Sequence, residues 1–185
     1  MNIENFKRFV IPTNEDSNED KSICANCHGN CCEHMGCHIS PREIKDISAK
    51  SLINFIESSE CVSIDWWEGD VIPDGELEKV YYLRMRNRGF RVEDPSHGGR
   101  CIALDKEGCV LDFNYRPAGG RGLLPRPDRR CEVVYSKKQC VEEWREYQDI
   151  LSEVVKYFSD KGEVEPEKRI SLFEALDMML GVVDN

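Results

Sequence analysis

The sequence predicts an α+β fold with a small antiparallel β-hairpin core that is tied together by a cysteine-rich site and flanked by helices. Three observations predict this class. Five cysteines and three histidines fall within fifteen residues, at 24–38. Strand patterns at 80–86 and 100–111 occupy the middle of the chain. Amphipathic helical patterns precede and follow these strands.

Composition and length favour one globular domain. The chain has 185 residues, of which 40% are hydrophobic, enough for an ordinary core. We expect an N-terminal lead-in at 1–23, a cysteine-cluster domain at 24–135, and a C-terminal helical extension of the same domain at 136–185.

The net charge of −10 argues against two classes of partner. Nucleic acid and anionic membrane surfaces repel an acidic protein, so we expect it to bind neither. The sequence has no run of about 18 apolar residues, which a transmembrane helix would need. The N-terminus lacks the basic segment and apolar core of a signal peptide, so we expect a cytoplasmic location.

Two N-terminal segments are expected before the cysteine stretch. Residues 1–11 are apolar at several positions and predict a short strand or a docked segment. Residues 13–22 are polar and acidic, which is typical of a flexible lead-in.

A helix is expected directly after the cysteine stretch. Ser40 and Glu43 have the spacing of a capping box, and Pro41 suits the first helical position. Apolar residues continue at helical spacing over 44–56, with a break near 48–51.

The middle of the chain predicts strands. Residues 59–76 are mixed and contain turn signals, and their two tryptophans, Trp66 and Trp67, are expected in the core or in a lid. Residues 80–86 predict a strand, and 90–92 predict a second, shorter one.

A hairpin is predicted farther along. Its arms are 100–104 and 109–111, joined by a turn at 105–108. Each arm carries one cysteine, Cys101 or Cys109, so the hairpin could present a pair of thiolates to a metal.

Residues 116–130 predict a loop, because they hold three prolines, three glycines and five arginines. Two interpretations stay open. The loop is either a solvated surface segment or a cover over the cysteine site, in which Arg116 and Arg121 offer guanidinium groups to a substrate carboxylate or phosphate.

Two amphipathic helices are expected at the C-terminus. The first runs from about Ser136 to Phe158, and the second from about 166 to 180. The apolar face of the second helix could dock on the core or on a second copy of the chain, which would make a homodimer. Cys61 and Cys140 are expected to be buried thiols.

Ten cysteines in a cytoplasmic protein favour a bound metal over disulfides. The spacing C-x2-C recurs at zinc and iron–sulfur sites, because both thiolates reach one cation from a single turn. The adjacent pair Cys31–Cys32 points in two directions, so one member could serve a second metal or a cluster edge.

The chain also resembles a known family. The segments that carry the resemblance are C-x2-C-x3-C-C at 24–32, GRCIALD at 99–105, GCVL at 108–111, YRP at 115–117, and Pro125. Together they are similar to the YkgJ-type cysteine-cluster family, whose members are described as zinc- or iron-chelating proteins. The flagellin lysine methylases share a similar signature. The resemblance therefore implies a zinc or iron centre, and a 4Fe–4S cluster is one form that it implies.

The expected metal ligands come from both halves of the 24–135 domain, which is thus the predicted metal-binding domain. They are Cys24, Cys27, Cys31, Cys32, Cys101, Cys109 and Cys131. Secondary candidates are Cys37, His34, His38 and His28. A single cluster fits this set, and so do two centres, one of them built from Cys24, Cys27, Cys101 and Cys109. His97 is expected to be a solvated loop residue.

One position departs from the family pattern, R-P-x-x-C-R. Here Arg116-Pro117 is followed by Gly120 where the family has a cysteine. Either Cys131 or Cys140 supplies the missing ligand, or a coordination position stays open. An open position is what a catalytic metal site requires.

Three functions are consistent with these residues. The first is a protein that binds zinc, iron or an iron–sulfur cluster in a structural, redox or metal-carrier role. The second is a metal- or iron–sulfur-dependent enzyme that modifies a protein or peptide side chain and has an open coordination position near Gly120. The third is a structural zinc domain that presents its tryptophan region or its last helix to a protein partner.

Overall fold

A computed structural model describes most of the chain. The described residues are 2–15, 22–23, 26, 29, 32–33, 36–71, 77–106, 108–126 and 131–167. Five predicted ligands lie outside them: Cys24, Cys27, Cys31, His28 and His34. Residues 16–21 of the predicted lead-in, and 168–180 of the predicted last helix, also lie outside them.

Helices and small antiparallel sheets make up the described part, which confirms a mixed α and β protein. The helices are α1 (Ile3–Phe9), α2 (Ala49–Ser59), α3 (Ala118–Arg121), α4 (Lys137–Trp144) and α5 (Gln148–Asp160). The strands are β1 (His38–Ile39), β2 (Ser63–Val71), β3 (Leu77–Arg84), β4 (Leu104–Asp105), β5 (Gly108–Cys109), β6 (Leu123–Leu124) and β7 (Glu132–Val133). Short 3-10 turns are Pro41–Glu43, Pro95–His97, Phe113–Tyr115 and Arg145–Tyr147. No helix among these residues is both long enough and apolar enough to cross a membrane.

The N-terminal segment is a helix that packs on the core, so the strand alternative for 1–11 is wrong and the docked-segment alternative agrees with the structure. Asn2 caps α1, since its side chain accepts a hydrogen bond from Asn5 N at 3.0 Å. Phe6 is buried, and its ring lies 5.6 Å from that of Phe55 on α2. The helix is stable because it packs on α2, and a polar cap alone would not hold seven residues.

The capping box at Ser40 is confirmed, but it starts only one 3-10 turn, Pro41–Glu43. The chain then leaves the helical path, and Ser48 caps α2 separately. The predicted break near 48–51 is therefore real.

The main sheet has the order β1-β3-β2, and both of its strand pairs are antiparallel. The strand predicted at 80–86 corresponds to its central strand, β3. Strand β2 lies in the region 59–76, for which no strand was predicted. Of the strand expected at 90–92, only Val92 makes bridges, one to Ile64 and one to Val164.

The tryptophans of β2 are packed, as expected. Trp66 is 6% exposed, and the ammonium of Lys79 lies 4.5 Å from its ring centroid. Trp67 is partly buried and packs against the core, with the ammonium of Lys137 4.7 Å from its ring centroid.

A buried ion network holds the main sheet to the cysteine region. Asp65 on β2 is fully buried and accepts hydrogen bonds from Arg84 Nη1 at 2.8 Å and from Arg86 Nη2 at 2.6 Å. Arg86 also pairs with buried Glu93 at 2.8 Å. Arg84 Nε donates to the carbonyl oxygen of Gly36 at 2.7 Å. Buried charges need such partners, so the network fixes the backbone beside Cys37.

The predicted hairpin exists in a shorter form, β4-β5, with Leu104 opposite Cys109. Gly108, the first residue of β5, has φ 116°, a conformation that favours glycine. The placement of Cys101 on the first arm is wrong, because this residue precedes β4 by three positions.

The glycine- and arginine-rich segment is more regular than a loop. It contains the short helix α3 and the strand β6, which pairs with β7. The prediction of a continuous loop over 116–130 is thus wrong for 118–121 and 123–124.

The predicted helix from Ser136 to Phe158 is two helices, α4 and α5, joined by a 3-10 turn. Ser136 caps α4 through a capping box with Gln139. Trp144 Nε1 donates to the carbonyl oxygen of Ile39 at 2.8 Å, which ties α4 to β1.

His97 is exposed, as expected, but it also has a partner within the chain. It ends the 3-10 turn Pro95–His97. Its Nδ1 atom lies 2.7 Å from Glu165 Oε1. Glu165 also pairs with Arg88, so the segment after α5 is held against the edge of the main sheet.

Candidate functional site

Five cysteines line one small cavity. They are Cys32, Cys37, Cys101, Cys109 and Cys131, and the cavity has a volume of about 50 Å³. These residues come from the cysteine stretch, the segment before β4, the strand β5 and the segment before β7. The fold therefore brings the two cysteine-bearing parts of the chain to one place. We call this space the thiol cavity.

Backbone hydrogen bonds place three of these cysteines. Cys101 N donates to the carbonyl oxygen of Cys32 at 2.7 Å, which joins the cysteine stretch to the hairpin region. Met85 N donates to the carbonyl oxygen of Cys37 at 2.8 Å, directly after β3. The thiols thus sit on backbone that the main sheet and the hairpin hold in place.

A glycine allows the cysteine stretch to approach the hairpin closely. Gly29 has φ 66°, and a Cβ atom built on it would lie 2.4 Å from Leu104 Cδ1. Both residues line the thiol cavity. A side chain at this position would push the stretch away from β4.

Cys37 and Cys101 interact directly. The Cys37 thiol donates a hydrogen bond to the Cys101 sulfur. This bond, with a backbone hydrogen bond from Ala103 and the charge of Arg84, lowers the pKa of Cys101 to about 6 despite burial. The same bond and burial raise the pKa of Cys37 well above its ordinary value.

Gly120 faces Cys37. A Cβ atom on Gly120 would lie 3.5 Å from Cys37 Sγ, in ordinary van der Waals contact. The position where the resemblance implies a cysteine therefore borders the thiol cavity, and the sulfur next to it belongs to Cys37.

Cys61, Cys140 and His38 lie outside the thiol cavity. Cys61 and Cys140 are fully buried outside the thiol cavity, as expected, and burial raises their pKa values to about 11 and about 12. His38 lies on β1 and does not line the cavity. Its Nε2 atom is 3.4 Å from the carbonyl oxygen of Tyr135, and burial lowers its pKa to about 4. The structure does not bring His38 to the thiols.

The two arginines of the predicted substrate loop bind within the chain. Arg116 is 8% exposed, and its Nε donates to the carbonyl oxygen of Leu111 at 3.1 Å. Arg121 pairs with Glu43 at 2.7 Å. Their guanidinium groups hold the α3 segment in place.

A second, larger cavity of about 770 Å³ lies beside the thiol cavity. Arg116, Gly120 and Leu123 line both. We call this space the outer cavity. Its size is within the range of about 300–1,000 Å³ that small-molecule sites have.

Charged and hydroxyl groups meet on one wall of the outer cavity. Glu43 accepts from Ser40 N and from Ala118 N, both at 2.9 Å, and burial raises the pKa of Glu43 while Arg121 opposes that rise. Glu143 accepts from Tyr135 Oη at 2.6 Å. The sequence identified Glu43 only as a helix cap, and it did not identify Tyr135 or Glu143. These residues meet only in the fold, because distant segments form this wall.

Metal coordination is not preformed among the described residues. Within these ranges, no group of three or more His, Cys, Asp or Glu side chains is arranged so that it could hold a metal ion. Three of the predicted ligands, Cys24, Cys27 and Cys31, lie outside the described residues. The described thiols therefore represent part of the predicted donor set.

Comparison with known proteins adds no relative. No family model, no curated protein and no solved structure matches this chain. The resemblance to the YkgJ-type family thus stays a prediction, and the functional argument depends on the site itself.

The adjacent glycines of α3 should respond differently to substitution. A Cβ atom on Gly119 would lie 2.7 Å from His38 N and 2.8 Å from His38 O, so Gly119→Ala requires backbone to move. We expect Gly119→Ala to lower the free energy of unfolding by about 1–3 kcal/mol. Gly120→Ala meets no such contact and should change it by less than about 0.5 kcal/mol. Urea denaturation of both variants measures the difference, and equal midpoints would contradict the packing of α3 on β1.

Proposed function

We propose that this protein binds zinc or iron in the thiol cavity, as a single ion or as an iron–sulfur cluster. One observation carries the proposal: five cysteines from segments far apart in the sequence line one cavity of about 50 Å³. Buried free thiols are usually scattered through a core, as Cys61 and Cys140 are here. Convergence of five thiols at one point favours a ligand that prefers sulfur.

The donor chemistry fits such a metal. Thiolates select zinc, copper(I) and iron–sulfur clusters over magnesium and calcium. The hydrogen bond from Cys37 and the charge of Arg84 stabilise the Cys101 thiolate, and a metal needs its cysteine ligands deprotonated. The size of the thiol cavity suits an ion or a small inorganic cluster.

The ligand set would combine described and motif cysteines. Cys32, Cys37, Cys101, Cys109 and Cys131 border the cavity, and the motif adds Cys24, Cys27 and Cys31. Four thiolates complete a tetrahedral zinc site. Because Cys37 stands next to Gly120, it is the better substitute for the cysteine that the family pattern implies there. Cys140 is a poorer one, since it is buried away from the cavity.

The role of the centre follows from what it binds. A closed zinc site would stabilise the fold, and an iron–sulfur cluster would supply one-electron redox chemistry when bound. In both cases Arg84, held by Asp65, would offset the negative charge of the thiolates. The buried ion network thus stabilises the site as well as the sheet.

A second candidate function is a metal-dependent enzyme that acts on a protein or peptide side chain. The observation that favours it is the outer cavity, which has the volume of a substrate site and shares the wall at Gly120 with the thiol cavity.

Elemental analysis of anaerobically purified protein tests the proposal. We expect about one to four zinc or iron atoms per chain. Brown protein with visible charge-transfer absorption would identify an iron–sulfur cluster, and colourless protein with bound zinc would identify a zinc site. Protein that holds neither metal, and takes up neither under reducing anaerobic reconstitution, would refute the proposal.

A further inference from the structure

Two sulfurs of the thiol cavity are in direct contact. The Cys37 thiol donates a hydrogen bond to the Cys101 sulfur, and both residues line the cavity. Their backbones are fixed independently: Met85 N donates to the carbonyl oxygen of Cys37 at 2.8 Å, and Cys101 N donates to that of Cys32 at 2.7 Å. Two segments that are far apart in the sequence therefore hold these thiols together.

We propose that Cys37 and Cys101 are a peroxide-reactive redox pair, in which hydrogen peroxide oxidises Cys101 and Cys37 then closes a reversible disulfide with it. A disulfide requires two cysteines that the backbone already brings close together. The hydrogen bond between the two thiols meets this condition. The pair reacts through its own sulfurs, so it does not depend on the proposed metal site.

The two sulfurs have different roles, because the hydrogen bonds run in one direction. The Cys101 sulfur accepts three of them, from the Cys37 thiol, the Cys37 N–H and the Ala103 N–H. The positive charge of Arg84, which is paired with Asp65, acts on the same sulfur. Such partners favour a thiolate, the nucleophilic form of cysteine. Cys101 is therefore the sulfur that attacks the peroxide, and Cys37 is the resolving thiol.

The size of the thiol cavity selects the oxidant. Cys37 and Cys101 are only 9% and 3% exposed, so an oxidant reaches them by entering the cavity. The cavity has a volume of about 50 Å³. A water molecule needs about 10–15 Å³, so hydrogen peroxide, with its two oxygen atoms, fits. An aromatic hydroperoxide such as cumene hydroperoxide is too large.

The reaction balances in two steps. The Cys101 thiolate attacks one oxygen of the peroxide, the O–O bond breaks, and the leaving hydroxide takes a proton from solvent. Cys101 becomes a sulfenic acid, oxidised by two electrons. The Cys37 thiol then attacks the sulfenic sulfur, the S–S bond forms, and the S–OH oxygen leaves as water with the Cys37 proton. One peroxide thus oxidises two thiols and yields two waters, and an external dithiol reverses the disulfide by exchange.

The disulfide would also regulate the proposed metal site. A metal takes cysteine sulfur as thiolate, and a disulfide has none to offer. Oxidation would therefore remove two of the five thiols that line the cavity. This consequence rests on the proposed function, whereas the redox pair does not.

Disulfide mapping on the full chain tests the pair. The protein is treated with chelator and dithiothreitol, freed of both, and exposed to one equivalent of hydrogen peroxide before the remaining thiols are alkylated. Trypsin and a glutamate-specific protease together release residues 34–42 and 101–106, each of which contains one cysteine. We expect these two peptides, joined by a disulfide, to be about tenfold more abundant than any other pair. A majority of any other pair would overturn the proposal.

Serine variants separate the two roles. In Cys37→Ser the sulfenic acid on Cys101 has no resolving thiol, so dimedone should label Cys101 about tenfold more than in wild type. In Cys101→Ser, Cys37 should stay unlabelled, and equal labelling in the two variants would overturn the assignment of Cys101 as nucleophile. Cys61→Ala is the matched control, because Cys61 is a fully buried thiol outside the cavity, and it should keep the wild-type rate of disulfide formation.

Cumene hydroperoxide tests the entry of the oxidant. At the same concentration as hydrogen peroxide, it should form the disulfide in the wild-type chain about tenfold more slowly, because it is excluded by size. Equal rates would overturn selection by the cavity. Mapping and this comparison both use the wild-type chain, so the pair stays testable if a serine variant does not fold.

Zinc content separates this inference from the metal proposal. If the reduced chain binds zinc but the Cys37–Cys101 disulfide does not form after chelation, the redox pair is refuted and the metal proposal stands. If the disulfide forms in a chain that binds no zinc, the metal proposal fails and the redox pair stands. Where both occur, the oxidised chain should take up about tenfold less zinc than the reduced chain, and equal uptake would overturn the regulation.

Discussion

Replacement of Asp65 by alanine is expected to lower the free energy of unfolding by about 3–5 kcal/mol, because it leaves a buried charge without its partner. Asp65 is fully buried and binds both Arg84 and Arg86. Arg86 would keep its pair with Glu93, but Arg84 would lose its carboxylate. Since domains are stable by only about 5–15 kcal/mol, this single change could remove most of the stability. Urea denaturation measures it.

A surface ion pair provides the control. Glu57 and Lys161 are about 40% exposed and lie 2.7 Å apart, so Glu57→Ala should cost less than about 1 kcal/mol. If Asp65→Ala costs no more than Glu57→Ala, the buried network does not hold the sheet. If the Asp65→Ala protein folds, it should also bind zinc more weakly. Arg84 would lose the carboxylate that holds it in place, and Arg84 donates a hydrogen bond to the carbonyl oxygen of Gly36, next to Cys37.

Local signals in the sequence predicted a cap, a helix start and a turn well. The capping box at Ser40 exists, a helix starts after Ser136, and the turn before Gly108 joins two strands. These features depend on residues within four positions of one another, so the local sequence is enough to predict them.

The sequence could not reveal β2, because its pattern contains a charged residue at a buried position. Asp65 looks like a turn or surface residue until the fold brings Arg84 and Arg86 into ion pairs with it. The error at α1 is of another kind. Ile3, Phe6 and Phe9 are three residues apart, which is a helical spacing that could have been recognised.

The candidate site was predictable in composition but not in geometry. The cysteine motif, the predicted hairpin and the family resemblance together pointed to Cys32, Cys101 and Cys109 as parts of one site, and the fold places them around one cavity. The importance of Cys37 depends on its distance from Gly120, some eighty residues away along the chain, and no local pattern encodes that contact. The outer cavity likewise exists only after α3, β6 and the 3-10 turn at Pro41–Glu43 are packed together.

Replacement of Cys101 by alanine should abolish metal binding, and Cys61→Ala should not. Both thiols are buried, at 3% and 0% exposure, so the two changes remove similar packing. Only Cys101 lines the thiol cavity and contacts Cys37. Cys61→Ala should therefore cost about 1–2 kcal/mol of stability and keep the wild-type metal content.

Melting with and without chelator separates the metal contribution from packing. Free metal at about 100 times its Kd stabilises the folded state by about 2.7 kcal/mol, because the unfolded chain lacks the site. For a domain of this size, we expect chelator to lower the wild-type and Cys61→Ala melting temperatures by roughly 5–10 °C. Chelator should leave the Cys101→Ala melting temperature unchanged. Helices α4 and α5 should persist after chelation, since Trp144 on α4 hydrogen-bonds Ile39 of β1 and Gln148 on α5 hydrogen-bonds Tyr81 of β3. An unchanged wild-type melting temperature, or equal metal in both variants, would show that these cysteines hold no structural metal.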